Sequence, residues 1–270
     1  MASVLQDLDI HVLQPPTRQH ALEMFASVFR SLRLQSLRES PESFTDKYDE
    51  VAARSDSYWP TFIQMHKGLI HIAFGVSKAE ASIITRAEPR WRNDLIMAHG
   101  KPLGMAVNTG PVPSEHFISL SGSRVPPNRP DCEEQRFHGG SLFHIPEVRG
   151  DRRLFAHLVL SRDQWLLSSL LSAQSDPPPV ARFRGDVKSG RNQKKLLEFY
   201  DRAGWQIAGT QTSRTNQLAL GGPAAVQEAE LRGDDMDEVS VVVEKIFTVA
   251  HLEWEIRETR KTLERNAARL

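Results

Sequence analysis

Four kinds of residue in this chain could do proton or phosphate chemistry, and their surroundings decide which chemistry is open to them. Tyr200 closes the tripeptide Glu198-Phe199-Tyr200, four residues before Gly204, late on an amphipathic helical pattern. A phenol there is either a core aromatic beside Phe199 or a proton donor to a developing anion. His138 and His144, with Glu115 and His116, lie in or beside a long polar stretch, and an imidazole has the right ordinary pKa for a base near neutrality. Arg149, Gly150, Asp151, Arg152, Arg153 and Leu154 follow an apolar run and a proline and open a helical pattern. Unpaired backbone N–H groups and flanking guanidiniums at such a place attract phosphate. The fourth, the lone Cys132, sits in the polar segment Asn128-Arg129-Pro130-Asp131 and reads as a surface thiol rather than a nucleophile. His138 and His144 are six apart with Cys132, Glu133 and Glu134 nearby, a spacing that matches no compact zinc ligand set, so no metal is expected.

The bulk numbers narrow the class. The chain has 270 residues, 40% apolar and 25% charged, enough to bury a core of ordinary size. Its 34 basic and 34 acidic residues cancel, so nothing global steers it to nucleic acid or an anionic membrane. One cysteine allows no intrachain disulfide. No apolar run approaches the roughly 18 residues of a membrane helix, and the first residues lack a secretory pattern, so a cytoplasmic protein is expected.

The elements that must position these groups follow from periodicity. Asp9–Leu13 is a strand ended by Pro15-Pro16, and Thr17 can cap a helix carrying Leu22, Phe25, Val28, Phe29 and Leu32. Ser40-Pro41 starts a short turn or helix, and Thr45 and Ser55 or Asp56 can cap two more helices. Leu69–Val76 alternates as a strand; Asp94–His99 and Leu103–Thr109 read as a β-hairpin. Gly110–Gly140 is rich in Pro, Gly and Ser, either a lid or a disordered insertion. Ser141–Ile145 is the next strand and Arg152–Ala173 a helix ended by Pro177-Pro178-Pro179. Val180–Gly209 reads as strand, turn, helix, glycine stop and strand; Gln217–Leu220 is a last strand. An acidic linker, Glu228–Glu238, then leads to a helix from Val239 to about Arg265 whose role is packing or a homodimer contact. The pattern is α+β, a mixed sheet with helices packed on it.

Two segments together, Leu142–Leu154 and Val180–Gly209, resemble the GNAT superfamily of acyl-CoA-dependent N-acetyltransferases. Leu142-Phe143-His144-Ile145-Pro146-Glu147-Val148-Arg149-Gly150 matches that family's strand, proline and Arg-Gly pair, after which Arg152 and Leu154 stand at its two later glycine positions. Leu196-Leu197-Glu198-Phe199-Tyr200-Asp201-Arg202-Ala203-Gly204-Trp205 matches its x-Phe-Tyr-x-x-x-Gly-Phe helix end, with Trp for the last Phe. The Ser40-Pro41-Glu42-Ser43-Phe44 turn is also common in its members. The resemblance runs from Asp9 to about Leu220.

It implies a mixed, mostly antiparallel central sheet flanked by helices over residues 1–222, with residues 223–270 a linker and helical C-terminal extension. It also implies acetyl-CoA as cosubstrate and a small-molecule amine as acceptor, the zero net charge disfavouring a histone tail or polyamine. On this reading acetyl-CoA binds between the Phe143 strand and the helix bearing Tyr200, and the 110–140 loop shapes the acceptor pocket. Backbone of Phe143, His144 and Ile145 bonds the pantetheine arm, and the 149–154 turn holds the pyrophosphate. Asn192, one residue before the family's usual register, caps the helix or reaches a pantetheine amide. Tyr200 is the acid that protects the leaving thiolate, and His138 or His144 the base. The changed turn leaves an alternative, a GNAT-derived protein that no longer transfers acetyl and binds or converts a metabolite in the same place.

Overall fold

In a computed structural model, residues 5, 7–44, 46–65, 69–117, 120, 125–173, 175–188, 193–215, 226–227 and 237–267 are described. They form two compact units, each discontinuous in sequence. The first unit comprises Met1–Val107, Ser141–Trp165 and Trp254–Leu270, the second Asn108–Gly140 and Leu166–Glu253. The class is α+β, with mostly antiparallel pairing, as expected.

In the first unit, β1 (Leu8–Leu13) pairs antiparallel with β2 (Ile70–Ser77), and β2 with β3 (Lys101–Thr109). On them pack α1 (Gln19–Glu39), α2 (Tyr48–Ala52), α3 (Tyr58–Met65), α4 (Lys78–Arg86) and α5 (Pro89–His99). The core is Leu22, Phe25, Phe29, Ile72, Phe74, Met105 and their neighbours, all nearly solvent-free. Thr17 does not cap α1; the cap position is Arg18, whose guanidinium is held by Asp94 at 2.6 Å. α4 opens on a reciprocal capping box, Ser77 Oγ accepting from the Glu80 N–H and the Glu80 carboxylate from the Ser77 N–H.

The expected hairpin is corrected here. Asp94–His99 belongs to α5, which Pro89 opens at its first position, where a missing N–H costs nothing. A four-residue apolar run, Leu95–Ala98, is equally a strand or a buried helix turn, and that upstream proline decides it.

In the second unit the strand order is β4 (Glu134–His144, its first part), β5 (Val180–Lys188), β7 (Val239–Phe247), β6 (Gln206–Thr212). β4 and β5 are parallel, from Glu134↔Val180 to Gly139↔Gly185; β5–β7 and β6–β7 are antiparallel. Two expectations are corrected. The strand after the loop begins at Glu134, not Ser141, and Val239–Phe247 is a strand, not the start of a helix. The C-terminal helix, α8, runs only over Val249–Ala267. Val242, Val243 and Ile246 fit a helical stripe, yet β-branched residues favour the pleated surface, and with both faces of β7 covered no alternation shows. The expected strand Gln217–Leu220 and the boundary at 222 lie outside the described residues. Among those residues no helix is long and apolar enough to cross a membrane.

Candidate functional site

Side chains of the second unit's strands alternate between two faces, and the faces differ in chemistry. One carries Phe137, Phe183, Val187, Val243 and Phe247 with the glycines 139 and 185. The other carries Glu134, Arg136, His138, Arg182, Arg184, Asp186 and Glu244.

On the apolar face lies α7 (Gln193–Arg202), stopped by Gly204 at φ +77, a conformation that favours glycine, and by Lys245 Nζ donating to Ala203 O at 2.8 Å. Tyr200 is half-buried, edge-on to Trp205 at 5.2 Å, and Trp205 itself lies edge-on to Phe183 at 6.4 Å. The Tyr200 hydroxyl is 3.8 Å from where a Cβ on Gly185 would stand, with Trp205 at 3.8 Å and Val243 at 3.4 Å from the same point. Over Gly139, its ladder partner, a Cβ would find nothing closer than 3.6 Å. Two adjacent glycines thus make a shallow floor where the parallel ladder has its last pair, with a phenol at its edge. No residue of α7 is fully buried, and Leu196 and Phe199 are 44% and 38% exposed.

The opposite face is a buried ionic layer. Arg182 is gripped by Glu134 (Nε–Oε1 and Nη2–Oε2, both 3.0 Å) and donates to Glu244 at 2.9 Å; Arg184 donates to Glu244 at 2.8 and 2.6 Å. Arg136 pairs with Glu134 at 3.0 Å and Asp131 at 2.5 Å. These guanidiniums also hold Phe117, Pro127 and Arg129 of the loop before β4. Arg182 donates to Pro127 O at 3.0 Å, Arg136 to Arg129 O, and Arg184 lies 3.8 Å from the centre of the Phe117 ring.

His138, 2% exposed, sits against Phe117 with ring centres 5.2 Å apart, and neither ring nitrogen has a hydrogen-bond partner. Burial, and secondarily Arg184, push its pKa down to about 3, so the ring is neutral. Asp186 is half-buried; its Oδ1 accepts from Gln211 Nε2 at 2.6 Å and from Ser240 Oγ at 3.5 Å, and burial raises its pKa.

The 143–154 segment belongs to the first unit. Phe143 and Ile145 are buried in its core, and the Ile145 N–H is taken by Leu103 O at 3.0 Å. His144 is half-buried with Nε2 unpartnered, and burial lowers its pKa. Pro146–Val148 is a 3-10 turn, and Gly150 takes φ +86 with open space around it. Next comes the N-terminus of α6 (Arg152–Ser172). Its unpaired N–H groups are already occupied, Asp151 Oδ1 accepting from the N–H of Arg153 at 2.8 Å and of Leu154 at 3.3 Å. Leu154 is fully buried in the core and Arg152 is exposed. Arg149 donates to His144 O and Ser40 Oγ, each at 3.3 Å. Asn192 lies outside the described residues.

Sequence reading therefore brought together Tyr200 and its helix, but missed Arg184, Asp186, Gln211, Ser240 and Glu244. The available signal was Arg182-x-Arg184-x-Asp186-x-Lys188, charges at the period of a strand.

No family model and no curated protein matches this chain. Among solved structures it is similar to an acetyltransferase of the GNAT family from Streptococcus pneumoniae, at 10% identity and TM-score 0.43, covering 88% of this chain and 100% of that one. It is also similar to the aminoglycoside 6'-N-acetyltransferase from Enterococcus faecium, at 11% identity and TM-score 0.34, covering 87% and 96%.

Proposed function

We propose that this chain is an acyl-CoA-dependent N-acyltransferase whose donor is acetyl-CoA and whose acceptor is a small-molecule amine. The observation that carries the reading is the Tyr200 hydroxyl beside Gly185, where the parallel ladder has its last pair. The hydroxyl lies 3.8 Å from where a Cβ on Gly185 would stand, so the phenol flanks the glycine beside which the thioester would lie. Expulsion of a thiolate needs a proton at that sulfur. A phenol with an ordinary pKa near 10 is matched to a thiol leaving group near 8.5. Trp205 and Phe183 wall one side of the place.

The base is a separate question, which magnitudes help decide. Moving a proton from an ordinary ammonium (pKa about 10.4) to a site at about 3 costs about 10 kcal/mol at 1.36 kcal/mol per unit. His138, as held in this structure, therefore serves better as a neutral wall than as the proton acceptor. A chain of water molecules is the better route for that proton.

A second reading, binding or conversion of another metabolite without acetyl transfer, is favoured by one observation. The Asp151 carboxylate sits on the N–H groups that a pyrophosphate would use. Calorimetry and melting curves with acetyl-CoA and CoA separate the two: micromolar binding with a raised Tm supports transfer. Absence of binding at millimolar CoA overturns it and leaves the second. For the acid, Tyr200→Phe is expected to lower kcat by about 10²–10⁴ with KM for acetyl-CoA little changed. Full turnover in that variant removes Tyr200 from the chemistry.

A further inference from the structure

The acidic groups of the polar face are not alike. Glu134 is paired with Arg136 and Arg182, Glu244 with Arg182 and Arg184, and nearby Glu238 with Lys188 at 2.8 Å. Asp186, on the same strand as three of those cations, has no ion pair among the described residues; its partners are an amide and a hydroxyl. Strand register explains why these three meet. Gln211 pairs with Ser240, Ser240 with Lys188 two residues beyond Asp186, and the three side chains share one face.

The amide orientation leaves a second acceptor open. Gln211 must turn its NH2 to the carboxylate, since turning the oxygen there would oppose two acceptors. Its Oε1 is then left with no partner, although the residue is 96% buried by its 4% exposure. A buried carbonyl without a donor costs about 1–3 kcal/mol, so such a group is normally satisfied by something. The cluster therefore has an acceptor without a donor, and Asp186 feels Arg184 and Lys188 only through space, with no direct ion pair among the described residues. Asp186 is only partly buried, so some of its surface remains open to solvent.

We propose that Asp186, Gln211 and Ser240 form a binding site for a primary ammonium group. An R–NH3+ carries three donors and one charge; the cluster offers the free lone pairs of the Asp186 carboxylate, Gln211 Oε1 and Ser240 Oγ, with one unpaired negative charge. A hydroxyl or a carboxylate would supply too few donors or the wrong sign, and a quaternary ammonium would supply the charge with no donor. The raised pKa of the empty Asp186 agrees with a carboxylate that waits for its cation. The site lies on the face of the sheet opposite Gly185 and Tyr200, so it stands as an ammonium site without the acyl-transfer reading.

The test is calorimetric titration of the whole chain, with no acyl-CoA present, using n-butylammonium, tetramethylammonium and n-butanol as probes. Saturable binding of n-butylammonium is expected, with no measurable binding of the other two. Asp186→Asn should weaken n-butylammonium by at least tenfold, and Gln211→Leu and Ser240→Ala by a few-fold each, with circular dichroism unchanged. Equal binding of tetramethylammonium, undiminished binding in Asp186→Asn, or no binding of n-butylammonium overturns the proposal. Should Asp186→Asn fail to fold, unchanged affinity in both of the other variants overturns it instead. Ammonium binding in a protein that does not bind CoA would sink the acyl-transfer reading and leave this one standing.

Discussion

Glu244 accepts from two buried guanidiniums, and its worth lies in what its loss would strand. Arg182 and Arg184 are each 1% exposed, and a guanidinium cannot shed its proton to escape a dry site. Glu244→Gln keeps the shape and removes the charge, leaving Glu134, with Asp131 on Arg136, to balance Arg182, Arg136 and Arg184. The expected cost is about 3–5 kcal/mol of unfolding free energy. Urea denaturation checks it; a change below about 1 kcal/mol would mean that water reaches this layer and screens it. The same residues explain what was hidden from sequence reading. Glu134, Arg136 and His138 look like loop residues because buried charges are rare, and only their Arg and Glu partners on neighbouring strands make burial tolerable. Tyr200 was legible because its neighbours are local: the helix stop at Gly204 and the wall at Trp205 lie within five residues. Asp186, Gln211 and Ser240 lie 25 and 54 positions apart, counted from Asp186, and no local pattern joins them.

Among elements, the start of α6 is where fold and function compete for the same atoms. Asp151 satisfies two first-turn N–H groups and places a negative charge on the positive end of the dipole, which suits the helix. It does not suit an incoming anion. Asp151→Gly replaces one good cap by another, at a cost of only a few tenths of a kcal/mol. It also frees the Arg153 and Leu154 N–H groups and removes the repulsion. CoA affinity is therefore expected to rise several-fold while stability hardly moves, with calorimetry and denaturation run on the same protein. Unchanged CoA affinity would show that the pyrophosphate does not use this turn. Legibility at this scale followed local punctuation rather than covering. β2 was readable although both its faces are covered, while the valines of β7, also covered, imitated a helical stripe, and α5 hid its identity in a proline six residues before the apolar run.

For the whole molecule, net charge is zero near neutrality, so its pH response should come from individual buried groups rather than general repulsion. His138 dominates, because its folded pKa of about 3 lies far below the ordinary 6.5. The unfolded chain binds a proton on this ring from about pH 6.5 downward and the folded chain does not until about pH 3. Stability must then fall as the pH falls through that window, by at most about 5 kcal/mol for this ring. His11, His144 and His157, all shifted down by burial, add to the loss in the same direction. Asp186 acts oppositely: its raised pKa stabilises the fold below the ordinary carboxylate range and loses that contribution as pH rises. The histidines win because four of them pull together, so the melting temperature should drop steadily from pH 7 to pH 4. His138→Phe keeps a ring against Phe117 and removes the proton site. Its Tm-versus-pH curve should be visibly flatter than that of the wild type over the same range. Parallel curves would show that the ring is not held neutral by burial, and with that the neutral wall assigned to His138 would fall.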